Sequence, residues 1–200
     1  LQDPELVLPA VQTICNVVGG SAAQTEHVIQ LKALPALRSL LSHADSAIVR
    51  ETCWTLSNIA AGTAAQVQAL IDGGLITSVV NVATTGEYRS KVEACYVLAN
   101  MLQSRQAAQA LFTVDAGGLT ALVGCLEILD PAPLQTFLRG ISAALRVGAA
   151  AGRTIDEDLE ELPHGLGAIE KLLEFHDPGV VALAQALLDE FFPEVSDPED

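Results

Sequence analysis

Apolar side chains recur along this chain at helical spacing. In three segments that begin at Val11, Cys53 and Cys95, small or apolar residues occupy positions i, i+3 and i+7 and so form one face of a helix. A fourth segment, which begins at Leu138, keeps the same positions. Since no strand pattern competes with this spacing, the sequence predicts an all-α chain.

The segments are copies of one repeating unit. Asn16, Asn58 and Asn100 are each 42 residues apart, and a fourth copy follows after 43 residues with Ala143 in the asparagine position. A second apolar segment lies between copies and starts at Leu34, Leu75, Leu119 and Ala168. Repeats of about 40 to 47 residues are typical of armadillo and HEAT solenoids. We therefore expect units of at least two long helices and a shorter connecting one.

The repeats predict the domain organisation. Residues 1–192 are expected to form an armadillo-repeat, right-handed superhelical solenoid of about four to five repeats with two to three helices each. Its copies centre near Asn16, Asn58, Asn100 and Ala143, and a terminal cap occupies about 165–192. The acidic run 156–161 is interpreted as a solvated loop within an insertion, and 193–200 as an acidic disordered tail.

Composition narrows the class of ligand. The chain has 25 Asp and Glu against 10 Lys and Arg, for a formal net charge of -15, which disfavours nucleic acid and anionic membrane surfaces and favours a basic partner. Aromatic residues make up 4% of the chain, and no run of 18 apolar residues predicts a membrane span. Four cysteines without a C-x-x-C pair are expected to be reduced and buried, and no cofactor or metal is predicted.

A polar and aromatic stripe accompanies the core stripe. Glu51, Trp54 and Asn58 fall at i, i+3 and i+7, and Glu93, Tyr96 and Asn100 repeat them one period later. In one interpretation the asparagines form a ladder that pairs with the backbone of an extended peptide, while the aromatic rings receive Lys or Arg stems and the glutamates supply counter-charge. In the other, each asparagine satisfies backbone groups of the neighbouring repeat and Trp54 only seals the space between repeats.

The segment ETCWTLSNIAAG at residues 51–62, the asparagine ladder and Ala33–Leu37 resemble the importin-α (karyopherin-α) family. The resemblance runs from about Leu6 to Phe192 and matches that family's C-terminal half. It implies an adaptor, present in cytoplasm and nucleus, that binds Lys/Arg-rich nuclear localisation signals at a minor site. The site residues that it implies are Asn16, Glu51, Trp54, Ser57, Asn58, Glu93, Tyr96 and Asn100. It also implies importin-β as a partner through an N-terminal arm that this sequence lacks, and an export receptor at the C-terminal repeats.

Departures from the family pattern limit the expected site. Gln12 stands in an aromatic position, and Tyr96 replaces a usual Trp, which predicts a shallower pocket there. Arg139 and Ala143 end the ladder in the fourth copy.

The alternative function is that of an armadillo scaffold of the catenin or cytoskeletal type, which binds another protein partner. Glu51 and Glu93 favour the transport interpretation. Four scattered histidines fit no triad or metal motif, so no catalytic residue and no enzymatic activity are predicted.

Overall fold

The computed structural model describes residues 3–162 and 165–193, which form helices and no strand. The α-helices are α1 Pro4–Val18, α2 Ala22–Gln30, α3 Leu34–Leu40, α4 Ser46–Ala60, α5 Ala64–Asp72, α6 Ile76–Thr85, α7 Tyr88–Leu102, α8 Ala107–Asp115, α9 Gly118–Val123, α10 Pro131–Ala150, α11 Ile155–Glu161, α12 Gly165–Glu170 and α13 Pro178–Phe191. A 3₁₀ helix, Lys171–Glu174, follows α12. The prediction of an all-α chain is confirmed.

Each repeat holds two short helices followed by one long helix. The long helices α1, α4, α7, α10 and α13 pack side by side in chain order and form one layer, and the short helices lie between them in sequence. The expectation of two long helices and a short one in each unit is wrong. The second apolar segment, such as Leu34–Leu40, is only two turns long because a new helix N-cap follows soon after it.

Polar side chains fix the start of the first short helix in successive repeats. Ser21 with Gln24 and Thr63 with Gln66 form capping boxes, in which each side chain bonds the other residue's backbone N–H. The Gln66 Nε2 also donates to the carbonyl of Ala22 in the preceding repeat at 2.7 Å, and the Gln109 Nε2 donates to that of Ala64 at 2.9 Å. Gln66, and Gln109 at the equivalent position of the next repeat, therefore join one repeat to the preceding one.

The two short helices of a repeat meet at a left-handed residue. Lys32, Gly74 and Gly117 have φ values of 59°, 63° and 86° at equivalent positions of three repeats. Glycine adopts this conformation without a steric cost, whereas a residue with a side chain pays for it. The turn geometry is thus conserved along the array although its residue type is not.

The predicted core stripe is buried. Cys53 and Leu56 of α4 and Cys95 and Leu98 of α7 have no exposed surface, and Leu138 of α10 is 1% exposed. All four cysteines are free and buried, as expected. Burial raises the pKa of the Cys53 thiol to about 12, which keeps it protonated at neutral pH.

The C-terminal part differs from the sequence interpretation. The acidic run 156–161 is not a loop but lies in α11, because Ile155 and Leu159 on one face of that helix are completely buried. The long helix of this region is also longer than its equivalents, because α10 has 20 residues, against 15 in α4 and α7. The helices α11, α12 and α13 follow the same order of two short helices and one longer helix as the preceding repeats, and the terminal cap at about 165–192 stays a prediction. The predicted tail lies outside the described residues except for Pro193.

In the part of the chain that the structure describes, no single helix is long and apolar enough to cross a membrane. Helices α5 and α6 together have the length and apolar composition of a membrane span, but they meet at an angle of 81°.

Candidate functional site

The layer of long helices carries the residues that the sequence singles out. On α4 the outward stripe consists of Arg50, Trp54 and Asn58, at successive spacings of four residues and hence one above the other on the helix. Trp54 is 51% exposed, and Arg50 and Asn58 are half-buried. The expectation that Trp54 faces away from the core is confirmed.

Glu51 does not belong to this outward stripe. It is 4% exposed and lies on the side of α4 that faces α1, near Cys15, whose thiol pKa is raised mainly by burial and also by the charge of Glu51. The expectation that Glu51 points away from the core is wrong. Glu51 and Arg50, which lie three and four residues before Trp54, are separated by about 100° around the helix. Packing against α1 covers Glu51 and leaves Arg50 on the outward stripe.

The two half-buried asparagines connect neighbouring long helices. The Asn100 Nδ2 donates to the Ser57 carbonyl at 3.0 Å, and the Asn58 Nδ2 donates to the Cys15 Sγ at 3.6 Å. These contacts agree with the interpretation that each asparagine bonds the repeat before it. Each contact uses one amide donor only, and an asparagine amide has two donors and a carbonyl acceptor.

Asn16 and Ser57 take other positions. Asn16 is exposed on α1, before which the described residues contain no long helix that it could contact. The Ser57 side chain is buried, and its hydroxyl donates to the Trp54 carbonyl at 2.8 Å. Ser57 therefore contributes its backbone carbonyl, rather than its hydroxyl, to the contact with Asn100.

Tyr96 is more enclosed than Trp54. Its ring is half-buried and packs edge-on against the buried ring of Phe137, with 5.5 Å between the centroids. Edge-to-face pairs of this kind add about 0.5–1.5 kcal/mol beyond the area that they bury. The second aromatic position is therefore partly a core position, and the shallower pocket there stays a prediction.

Glu93 is the acidic residue that stays accessible. It is half-buried on α7. The pKa of its carboxyl is raised overall, because burial and the charge of Glu51 raise it more than the neighbouring Arg50 lowers it. Glu93 thus differs from Glu51, one period earlier, in keeping contact with solvent.

A cavity of about 310 Å³ opens beside Trp54 between the N-terminal halves of α4 and α7 and the start of α10. Its main lining side chains are Arg50, Trp54, Tyr88, Arg89, Glu93 and Asp130. For a cation the cavity offers the Trp54 indole and the carboxylates of Glu93 and Asp130, of which only Glu93 was predicted, and it also presents two guanidinium groups. A second cavity, of about 600 Å³, lies near the C-terminal ends of α4 and α7 and includes Asn100.

Arg50, Arg89 and Asp130 also line the cavity, although the sequence pattern did not predict them. Arg50 could have been found because it lies one helical turn before Trp54 on the same face. Arg89 and Asp130 lie at the beginning of the following long helices, and only the stacking brings them to Trp54. No group of three His, Cys, Asp or Glu side chains within residues 3–162 and 165–193 is arranged to hold a metal ion.

Known proteins that are similar to this chain have the armadillo-repeat fold. The family model for the armadillo/beta-catenin-like repeat matches residues 21–61, which is the unit made of α2, α3 and α4. A computationally designed armadillo repeat protein for modular peptide recognition is 28% identical, with a TM-score of 0.82 over 94% of this chain and 77% of that chain. A designed armadillo repeat protein in complex with the peptide (KR)4 is 26% identical, with a TM-score of 0.78 over the same shares. The chain therefore has the armadillo-repeat fold.

Part of the chain is similar to importin α subunits. It is 43% identical over 54 residues to importin subunit alpha-7 of Arabidopsis thaliana and 42% identical over 52 residues to importin subunit alpha-1a of Oryza sativa subsp. japonica. Each match covers 26% of this chain and 10% of the relative. The matched part is thus about a tenth of the length of these relatives.

Proposed function

We propose that the layer of long helices binds an extended peptide that carries Lys or Arg, and that the chain acts in this way as part of a nuclear import adaptor. The observation that carries the proposal is Trp54, the single tryptophan of the chain, which is half-exposed on a surface rather than in the core. Its indole face and the Glu93 carboxylate line one cavity, as a cationic side chain with an alkyl stem requires.

The remaining contacts of such a peptide would come from the asparagines. Asn58 and Asn100 each keep a donor and an acceptor beyond the bond that they make to the preceding repeat, and these groups match a peptide N–H and C=O. Asn16 is exposed and has the same capacity. In this proposal the asparagines both join the repeats and bind the ligand backbone.

Similarity supports the same ligand class. The designed protein that is 26% identical to this chain was solved with a peptide of alternating Lys and Arg, and the curated relatives are importin α subunits. The proposal includes import of proteins that carry nuclear localisation signals and presence of the protein in cytoplasm and nucleus. It also includes importin-β and an export receptor as partners. The lack of enzymatic activity stays a prediction.

We expect titration of the protein with a (Lys-Arg)4 peptide to change the fluorescence of Trp54, with an affinity that falls as salt rises. Because the ring would cover the alkyl stem and attract the charge, Trp54→Ala should weaken binding about tenfold, measured by calorimetry. Phe112→Ala is the matched control, since Phe112 is a 44% exposed aromatic residue on a short helix.

No binding of (Lys-Arg)4, or equal affinity in Trp54→Ala and wild type, would overturn the proposal. A (Glu-Asp)4 peptide serves as the second ligand. If it bound more tightly than the basic peptide, the scaffold alternative with an acidic partner would replace the import function.

A further inference from the structure

The cavity beside Trp54 contains charges of both signs. Arg50 and Arg89 contribute guanidinium groups to it, and Glu93 and Asp130 contribute carboxylates. One carboxylate is already engaged, because Asp130 caps α10 and accepts a hydrogen bond from the Ala132 N–H at 3.1 Å. Among the described residues, ion pairs within 4.0 Å are formed by Arg146 and Arg153, but not by Arg50 or Arg89.

These two arginines change which peptide the cavity accepts. A guanidinium group has five N–H donors and pairs bidentately with a carboxylate. A wholly basic segment would approach Glu93 and at the same time bring its positive charges near Arg50 and Arg89. A segment that also carries a carboxylate would satisfy both sets of groups, because each lining charge then faces one of opposite sign.

We infer that the Trp54 cavity selects a mixed-charge segment, in which a Lys or Arg side chain lies on Trp54 and Glu93 while an Asp or Glu within two residues of it pairs with Arg50 and Arg89. The inference rests on the proposed function and specifies its ligand. It assigns Arg50 and Arg89 as specificity-determining residues for the acidic flank. The net charge of -15 attracts basic partners in general, whereas this cavity adds a local requirement for an acid.

The test uses two peptides that share one Lys-Arg core and differ only in the flanks. One peptide carries Glu at the second position on each side of the core, and the other carries Gln there. Both are titrated by calorimetry into the wild type and into the double variant Arg50→Gln, Arg89→Gln. Arg38→Gln, Lys171→Gln is the matched control, because both residues are exposed on short helices and their substitution removes the same net charge.

We expect the wild type to bind the Glu-flanked peptide at least fivefold more tightly than the Gln-flanked one. In Arg50→Gln, Arg89→Gln the Glu-flanked peptide should bind more weakly than it does to wild type, and the Gln-flanked peptide more tightly, since repulsion of the basic core is reduced. The control variant should shift both peptides in the same direction.

The inference is overturned if the Glu-flanked peptide has no advantage in wild type, or if Arg50→Gln, Arg89→Gln shifts both peptides alike. Failure of the proposed function has a different result, because neither peptide would then bind or change the fluorescence of Trp54. Binding of the Gln-flanked peptide with Trp54-dependent affinity, but without a gain from Glu, would contradict the inference alone.

Discussion

The repeats that end in α4 and α7 have the same fold and register, yet their long helices present different surfaces. Trp54 of α4 is half-exposed beside a cavity, whereas Tyr96 of α7 packs against the buried Phe137. Glu51 is buried, whereas its equivalent Glu93 is accessible. A constant backbone thus carries a layer of long helices whose surface chemistry changes from one repeat to the next, and the side chains of the neighbouring helix determine that change.

The largest expected difference concerns the two aromatic side chains. Tyr96→Ala should lower the free energy of unfolding by about 2 kcal/mol, because it removes a ring packed on the core, whereas Trp54→Ala should cost less than about 1 kcal/mol. Urea unfolding followed by circular dichroism measures both, since it does not depend on the tryptophan. Phe112→Ala is the exposed aromatic control. Equal losses for Tyr96→Ala and Trp54→Ala would show that the two rings have the same structural role.

This contrast shows what the sequence could and could not predict. The period follows from equivalent residues 42 positions apart in the sequence, and the buried face through Cys53 and Leu56 and the exposure of Trp54 follow from spacing within one helix. The burial of Glu51 does not, because it depends on which side of α4 the preceding helix covers. Contact between helices of different repeats is a property of their stacking, and a single-helix pattern does not contain it.

The same limit explains why two residues that line the Trp54 cavity were missed, whereas the helix α11 was missed for another reason. Arg89 and Asp130 reach the Trp54 cavity only because α7 and the start of α10 pack beside α4. The helix α11 was missed for a local reason, since its five acidic residues hide the spacing of Ile155 and Leu159, which are the only apolar residues in it. The two buried side chains anchor a helix whose remaining surface is charged.

The left-handed turn gives a second, smaller contrast between the repeats. Gly74→Ala should lower the free energy of unfolding by about 1 kcal/mol, because its φ is 63° and the added Cβ would lie 3.3 Å from the flexible end of Arg38. At the equivalent position Lys32 already bears that strain at φ 59°, so Lys32→Gly should raise the free energy of unfolding by about 0.5 kcal/mol.

Ala33→Gly is the control for these variants. Ala33 is next to Lys32 but has a helical φ of -69°, so glycine there should only lower the stability. A gain in both Lys32→Gly and Ala33→Gly, measured by thermal and urea unfolding, would contradict the role of the left-handed backbone in this turn.

The smallest expected contrast concerns the asparagines. Asn100→Ala removes an amide-to-carbonyl hydrogen bond of 3.0 Å, whereas Asn58→Ala removes a 3.6 Å contact to a thiol, which is a weaker acceptor. Alanine is also a better helix former by several tenths of a kcal/mol, and Asn16→Ala measures that gain because Asn16 is exposed. Relative to Asn16→Ala, we expect a loss of about 1 kcal/mol for Asn100→Ala and less than about 0.5 kcal/mol for Asn58→Ala. The reverse order in urea unfolding would show that the Cys15 contact, rather than the Ser57 carbonyl, holds the stronger of the two junctions.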